Sequence, residues 1–284
     1  MIKLKNIVEE FLRSSPEGER RRTIDLDQAV SLAKDYSESI EIGGKGRLYR
    51  GVRGADQRYY YIDPSSSPMR YSRDVNNIYM ALMDTLPAWS GFPKRSHSII
   101  VSTDYTDANS YGALYVVFLK NESKIASASS KDIISYAGMP YLYDRLNVDL
   151  EGYMYRLEKL FNTGKELGWY MPTTGKHDYT YKNIEDFYNE MSDLTVERLK
   201  ILQTKFQNYV KITNVIDDML KHPDPENGWK NYFNELLSPT KNGITLETIS
   251  SIKYNDGREC WTEFPAILVR QTFLGGFIDA YNNV

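Results

Sequence analysis

Segments suited to a β-sheet stand towards both ends of this chain, and a long helical stretch separates them. Arg47-Leu48-Tyr49-Arg50-Gly51-Val52 alternates at strand period, and Ser98-Ile99-Ile100-Val101-Ser102 is a short apolar strand. Ala113-Leu114-Tyr115-Val116-Val117-Phe118-Leu119 is a continuous apolar run of the kind found in a central strand. Far downstream, 249–254 and 261–269 read as two further strands joined by the hairpin signal Asn255-Asp256-Gly257. Distant strands share a sheet only if the stretch between them is an insertion. The expected fold is therefore a mixed α+β domain over residues 1–284, with helices near the N-terminus and a helical insertion at about 138–237.

The remaining elements follow from spacing. Ile7, Val8, Phe11 and Leu12 form a helical stripe that Ser14-Ser15-Pro16-Glu17-Gly18 ends, and Glu19-Arg20-Arg21-Arg22 reads as a solvated loop. Asp25 to Glu38 is a second helix with Leu26, Val30, Ala33 and Tyr36 on one face. Tyr59-Tyr60-Tyr61-Ile62 is a strand, and Ser72 caps a helix burying Val75, Ile78, Tyr79 and Leu82. Asp104 to Tyr111 has room for a turn and one or two helical turns. In the helical block, Ile184, Phe187, Tyr188 and Met191 form one stripe. Leu199, Leu202, Phe206, Tyr209, Val210, Ile216 and Leu220 extend it, Thr195 caps a helix, and His222-Pro223-Asp224-Pro225 stops the run.

Charge narrows the function. Lys and Arg number 35 against 38 Asp and Glu, a net charge of −3, which excludes bulk polycation binding to nucleic acid and leaves a local basic groove open. No apolar run approaches the roughly 20 residues of a membrane span, and the first residues lack the pattern of a signal peptide. Cys260 is alone, so the expected setting is reducing and cytoplasmic. His97, His177 and His222 are too dispersed for a metal site to be expected. Tyrosine, at 23 residues, points to half-buried aromatic surfaces or a site that stacks on rings.

Nucleotide-loop and hydrolase motifs are missing, and Gly43-Gly44-Lys45-Gly46 lacks phosphate-loop spacing. Three dispersed clusters remain. Arg50 lies on a strand, where its planar guanidinium suits phosphate, although taken alone it is an edge arginine facing water. The strand 98–102 runs into Thr103 and Asp104, so hydroxyls stand at its end, where they also serve as an ordinary cap. Glu259 and Glu263 lie four apart beside Trp261 and Phe264, before an apolar strand, a pattern that also suits a salt-bridged hairpin.

Taken together, arginine on an early strand, a strand closing in Ser-Thr and a late glutamate before an apolar strand resemble the arginine–serine–glutamate class of mono-ADP-ribosyltransferases. Tyr49-Arg50-Gly51 is similar to the family's first motif. Ser98 to Thr103, then Ala108, Tyr111-Gly112 and the strand 114–119, are similar to its second, the most specific of the three. The third residue of the family's Ser-Thr-Ser is Asp104 here. Its last motif usually places Glu or Gln two residues before the catalytic glutamate, where this chain has Gly257 or Trp261, and either Glu259 or Glu263 is a candidate. The likeness covers about 45–135 and 245–275, and the chain is similar in character to phage-encoded or toxin-like members.

The resemblance implies a split-sheet fold and NAD as a substrate. It implies that Arg50 and Gly51 bind the NAD phosphates, that Ser102 and Thr103 fix Arg50 and the nicotinamide side, that Tyr111 or Tyr105 stacks on nicotinamide, and that Glu259 or Glu263 stabilises the ribosyl cation. The partner implied is a protein acceptor of open identity, in a host cytoplasm for a phage-encoded member. Two alternatives stand beside transfer: NAD hydrolysis, and a non-catalytic interaction module on the same scaffold.

Overall fold

A computed structural model describes residues 21–42, 46–66, 78–172, 184–191, 194–222 and 228–284. The helix expected over 7–18, Gly43 to Lys45, Ser72 with Val75, His177 and the Pro223-Asp224-Pro225 stop lie outside them. The protein is mixed α/β, and its backbone forms two compact units.

The first unit takes in 21–66, 92–131 and 245–284. It holds a nine-stranded antiparallel sheet: β1 (Arg21–Thr23), β2 (Leu48–Val52), β3 (Tyr59–Ile62), β4 (Ile99–Ser102), β5 (Ala113–Leu119), β6 (Lys124–Ser127), β7 (Thr245–Thr248), β8 (Glu259–Thr262) and β9 (Ala266–Arg270). The spatial order is β1-β3-β9-β5-β2-β4-β8-β6-β7. As expected, β5 is central and buried along its last five residues. Strand alternation sorts the core into two faces. Leu48, Val52, Ile99, Val101, Tyr115, Val117, Cys260 and Leu268 belong to one, joined by Ile249 and Ile252. Val116, Phe118, Ile267 and Val269 belong to the other, packed on α1 (Leu26–Leu32), the 3-10 turn Ala33–Tyr36, α2 (Ser37–Glu41) and the C-terminal α11 (Leu274–Asn282).

Four expectations need correction. Arg21 and Arg22 are not loop: they form β1 on the free edge of the tyrosine strand β3, their guanidiniums over the Tyr60 and Tyr61 rings at 5.6 and 4.9 Å. Charge on an edge strand also blocks further pairing. The segment 249–254 is not a strand, because Ile249 and Ile252 turn down into the core and the Tyr254 hydroxyl donates to the Ile249 carbonyl. Nor does Asn255-Asp256-Gly257 join a hairpin. It turns with Asn255 and Gly257 at φ +61° and +69°, and β8 pairs with β4 and β6 instead. The single strand read over 261–269 is in fact two, broken at Glu263-Phe264-Pro265.

The second unit takes in 78–91 and 132–244 among the described residues, and so includes the helical stretch 138–237. Its helices among the described residues are α3 (Ile78–Thr85), α5 (Pro140–Leu146), α6 (Leu150–Glu166), α7 (Ile184–Glu190), α8 (Val196–Lys205), α9 (Val210–Met219) and α10 (Gly228–Leu236); α4 (Tyr105–Asn109) belongs to the first unit. In α6, Leu150, Tyr153, Met154, Leu157, Leu160, Phe161 and Gly164 bury one stripe, and Asp149 caps its start. Thr195 caps α8 as expected. The long stripe over 199–220 is interrupted: the chain turns at Phe206 to Tyr209, and Tyr209 and Val210 are 62% and 68% exposed.

Inside this unit Arg145 is a hub. Its Nε donates to both oxygens of Asp218 at 3.0 and 2.8 Å, and its Nη1 meets the Tyr141 hydroxyl and Glu235. Lys241 and Tyr141 also donate to Glu235, which holds that carboxyl down at about 2, the Lys241 bond being the largest cause. The hub ties α5, α9 and α10 together.

Candidate active site

The site is built where β2, β4 and β8 lie side by side. β4 and β8 are in register from Ile99↔Thr262 to Ser102↔Glu259. Residues directly opposite in an antiparallel pair share a face, so the Ser102 hydroxyl and the Glu259 carboxylate rise together from one side of the sheet. Tyr49 of β2 is opposite Ser102, at the only register position where β2 and β4 meet. Arg50 alternates with it: the arginine is buried, and its Nη1 donates to the Ile100 carbonyl at 2.6 Å across the junction of the two strands. The early arginine, the hydroxyl and one late glutamate thus stand on three adjacent strands but on two faces: Ser102 and Glu259 share one, and Arg50, opposite Tyr115 and between Leu48 and Val52, belongs to the other.

Glu263 does not join them. It follows Thr262, the partner of Ile99 at the far end of β4. That places it past a point about 10 Å along the strand from Ser102.

Ser102, Thr103 and Asp104 divide the local work. Ser102 Oγ accepts from the Asp104 amide at 3.0 Å. Thr103 is fully buried; its hydroxyl donates to Asp256 at 2.9 Å and accepts from the Arg258 amide at 2.8 Å. Its backbone bonds Asn255 and Arg258. This clamp is why 255–258 folds back on the strand end rather than forming a hairpin. Asp104 caps α4, accepting from the amides of Thr106 and Asp107 at 2.7 and 3.1 Å. Aspartate is among the favoured N-caps, so Asp104 closes the strand end and opens the helix.

α4 lies over Gly51. A Cβ there would come within 1.9 Å of the Ala108 carbonyl oxygen and 2.9 Å of Tyr111 Cβ, so only glycine permits the approach. Gly112 follows at φ +142° with the backbone of Val52 and Arg53 against it. Tyr105 and Tyr111, at 59% and 58% exposed, present ring surface beside this turn, and Tyr105 meets Tyr49 edge-on at 6.4 Å.

Sequence reasoning missed Arg95. Between exposed Lys94 and exposed His97 it is buried, and its guanidinium forms an ion pair with Glu259. It also lies over the Trp261 ring, 5.0 Å from the centroid. Breaking a buried pair by removing one partner typically costs about 3–5 kcal/mol. The available signal was its place in an irregular turn leading into a strand, with a buried carboxylate still to be matched. Cys260 points to the opposite face, where burial pushes its thiol up to about 12 and Ser127 lies 3.3 Å away. It is a core residue, not a nucleophile. Among the described residues no His, Cys, Asp and Glu cluster suits a metal, and no helix is long and apolar enough to cross a membrane.

No family model, curated protein or solved structure matches the chain. The case for a function rests on the residues and their geometry.

Proposed function

We propose that the protein is an NAD-dependent mono-ADP-ribosyltransferase with Glu259, Ser102 and Arg50 as its principal groups, on a sheet split between β2 and β4. The observation that carries this reading is the Ser102–Glu259 register pair, with the Arg50 guanidinium reaching the Ile100 carbonyl from the other face where β2 and β4 part. A split sheet is supported by the single register position joining β2 to β4.

In this reading the C1′–N bond of NAD breaks with its electron pair going to the pyridinium nitrogen, so nicotinamide leaves neutral and the ribose becomes an oxocarbenium ion. A fixed carboxylate stabilises such a cation as it develops, as it does in glycoside hydrolysis. Glu259 accepts a hydrogen bond from the ribose 2′-hydroxyl and faces the cation, and Ser102 steadies the carboxylate across the strands. Arg50, with a guanidinium suited to phosphate, reaches the pyrophosphate through the gap where β2 and β4 part, from the face opposite Glu259. Tyr105 or Tyr111 offers a ring for the nicotinamide. The acceptor nucleophile then bonds to C1′ and gives up its proton. Gly257 stands two residues before Glu259, where an acid would select arginine acceptors in the family, so the acceptor side chain is open.

Incubation of a cell lysate with the protein and NAD labelled in the adenylate moiety tests the reading. Label on protein, lost with Arg50→Lys and Glu259→Gln, is the expected result. Free ADP-ribose without protein label would select hydrolysis. No consumption of NAD would reject both and favour the interaction module.

A further inference from the structure

Of the three basic-side residues in Lys94-Arg95-Ser96-His97, only Arg95 is turned inward. Charged side chains are rarely buried unless paired, and its partner Glu259 is equally buried. A buried pair is a weak source of net stability, because the desolvation of two charges offsets most of their attraction. What the contacts show is a fixed arrangement. The Arg95 guanidinium lies on the Trp261 ring, the Trp261 indole donates to the Pro93 carbonyl at 3.0 Å, and Pro93 is two residues before Arg95. Trp261 in turn is two residues after Glu259, on the same face of β8. Pro93, Arg95, Glu259 and Trp261 therefore close a ring of contacts in which the chain connects each pair.

We infer that Arg95 is a positioning residue: by holding one oxygen of Glu259, it fixes the plane of the carboxylate and turns the other oxygen to the Ser102 side. This rests on the transferase reading above. A glutamate has three side-chain torsions to settle, and a carboxylate about 1 Å out of place loses about 100-fold in rate. Arginine suits the task through its rigid planar fork, which lysine lacks. Arg95 acts through Glu259 and has no contact with NAD in this scheme, so it governs kcat and leaves NAD affinity alone.

Nicotinamide release from NAD, measured for the unaltered protein, Glu259→Gln, Arg95→Ala and Arg95→Lys, tests this. Arg95→Ala should lose about 100-fold in kcat at near-constant KM, as expected for a misplaced catalytic group. Guanidinium chloride at millimolar concentration should restore part of that activity, an equal concentration of sodium chloride should not, and Arg95→Lys should recover little. Unchanged kcat in Arg95→Ala, a raised KM at constant kcat, or equal effects of the two salts would overturn the inference. Should Arg95→Ala not fold by circular dichroism, Trp261→Phe replaces it: kcat falling at constant KM supports the ring of contacts, and unchanged kcat overturns it. An unaltered protein that releases no nicotinamide defeats the transferase reading and this inference with it. Activity that needs Glu259 but not Arg95 defeats the inference alone.

Discussion

Ser102 and Glu259 are register partners at the end of β4 and β8, with Tyr49 of β2 on the other side of Ser102. Ser102 is half-exposed and its hydroxyl accepts a local amide, so its removal leaves the core intact. Ser102→Ala should lower nicotinamide release about tenfold, the worth of one hydrogen bond to a charged group, with little change in Tm. Steady-state kinetics beside a thermal melt checks both halves.

Gly51 is where the sheet admits α4. Gly51→Ala places a methyl group into the Ala108 carbonyl, which belongs to backbone and cannot step aside cheaply. A loss of about 1–3 kcal/mol is expected from overpacking of this kind, read by urea denaturation. Because Tyr105 and Tyr111 ride on the same turn, the variant should also bind NAD more weakly by calorimetry.

Cys260 shares β8 with Glu259 and faces the other way. Burial raises its thiol to about 12, so the native protein holds no thiolate at neutral pH. A thiol reagent at pH 8 should react only as fast as the protein unfolds, and nicotinamide release should be indifferent to it. Rapid labelling of the native state would contradict this orientation of β8.

Glu235 ties the second unit together through Lys241, Tyr141 and Arg145. Its carboxyl is lowered from the ordinary 4.5 to about 2, so its contribution is whole above pH 4.5 and is lost as pH falls towards 2. Glu235→Gln should flatten that part of the acid-unfolding curve. The effect is modest, because the side chain is 37% exposed and solvent screens the pair.

Much of the sheet was legible because strand signals were local. Ala113–Leu119 and Tyr59–Ile62 have the bounds their patterns indicate, since apolar runs and aromatic residues bounded by turns have few other folds open to them. What escaped was decided by distant partners. Arg21-Arg22 became a strand because β3 offered a tyrosine edge, and Ile249 and Ile252 became core plugs because Thr103 captured the segment after them. The choice between Glu259 and Glu263 was open in the sequence because it depends on register, and register is a property of two strands. Arg95 was invisible for a similar reason: its meaning comes from a carboxylate 164 positions later.

The central claim is most directly tested by comparing nicotinamide release from NAD by Glu259→Gln and Glu263→Gln. Both substitutions keep side-chain shape and remove one charge. A loss of about 100-fold or more with Glu259→Gln, in line with removal of one electrostatic stabiliser, and near-native activity with Glu263→Gln is the expected outcome. Equal activity in the two variants, or loss confined to Glu263→Gln, would contradict the account.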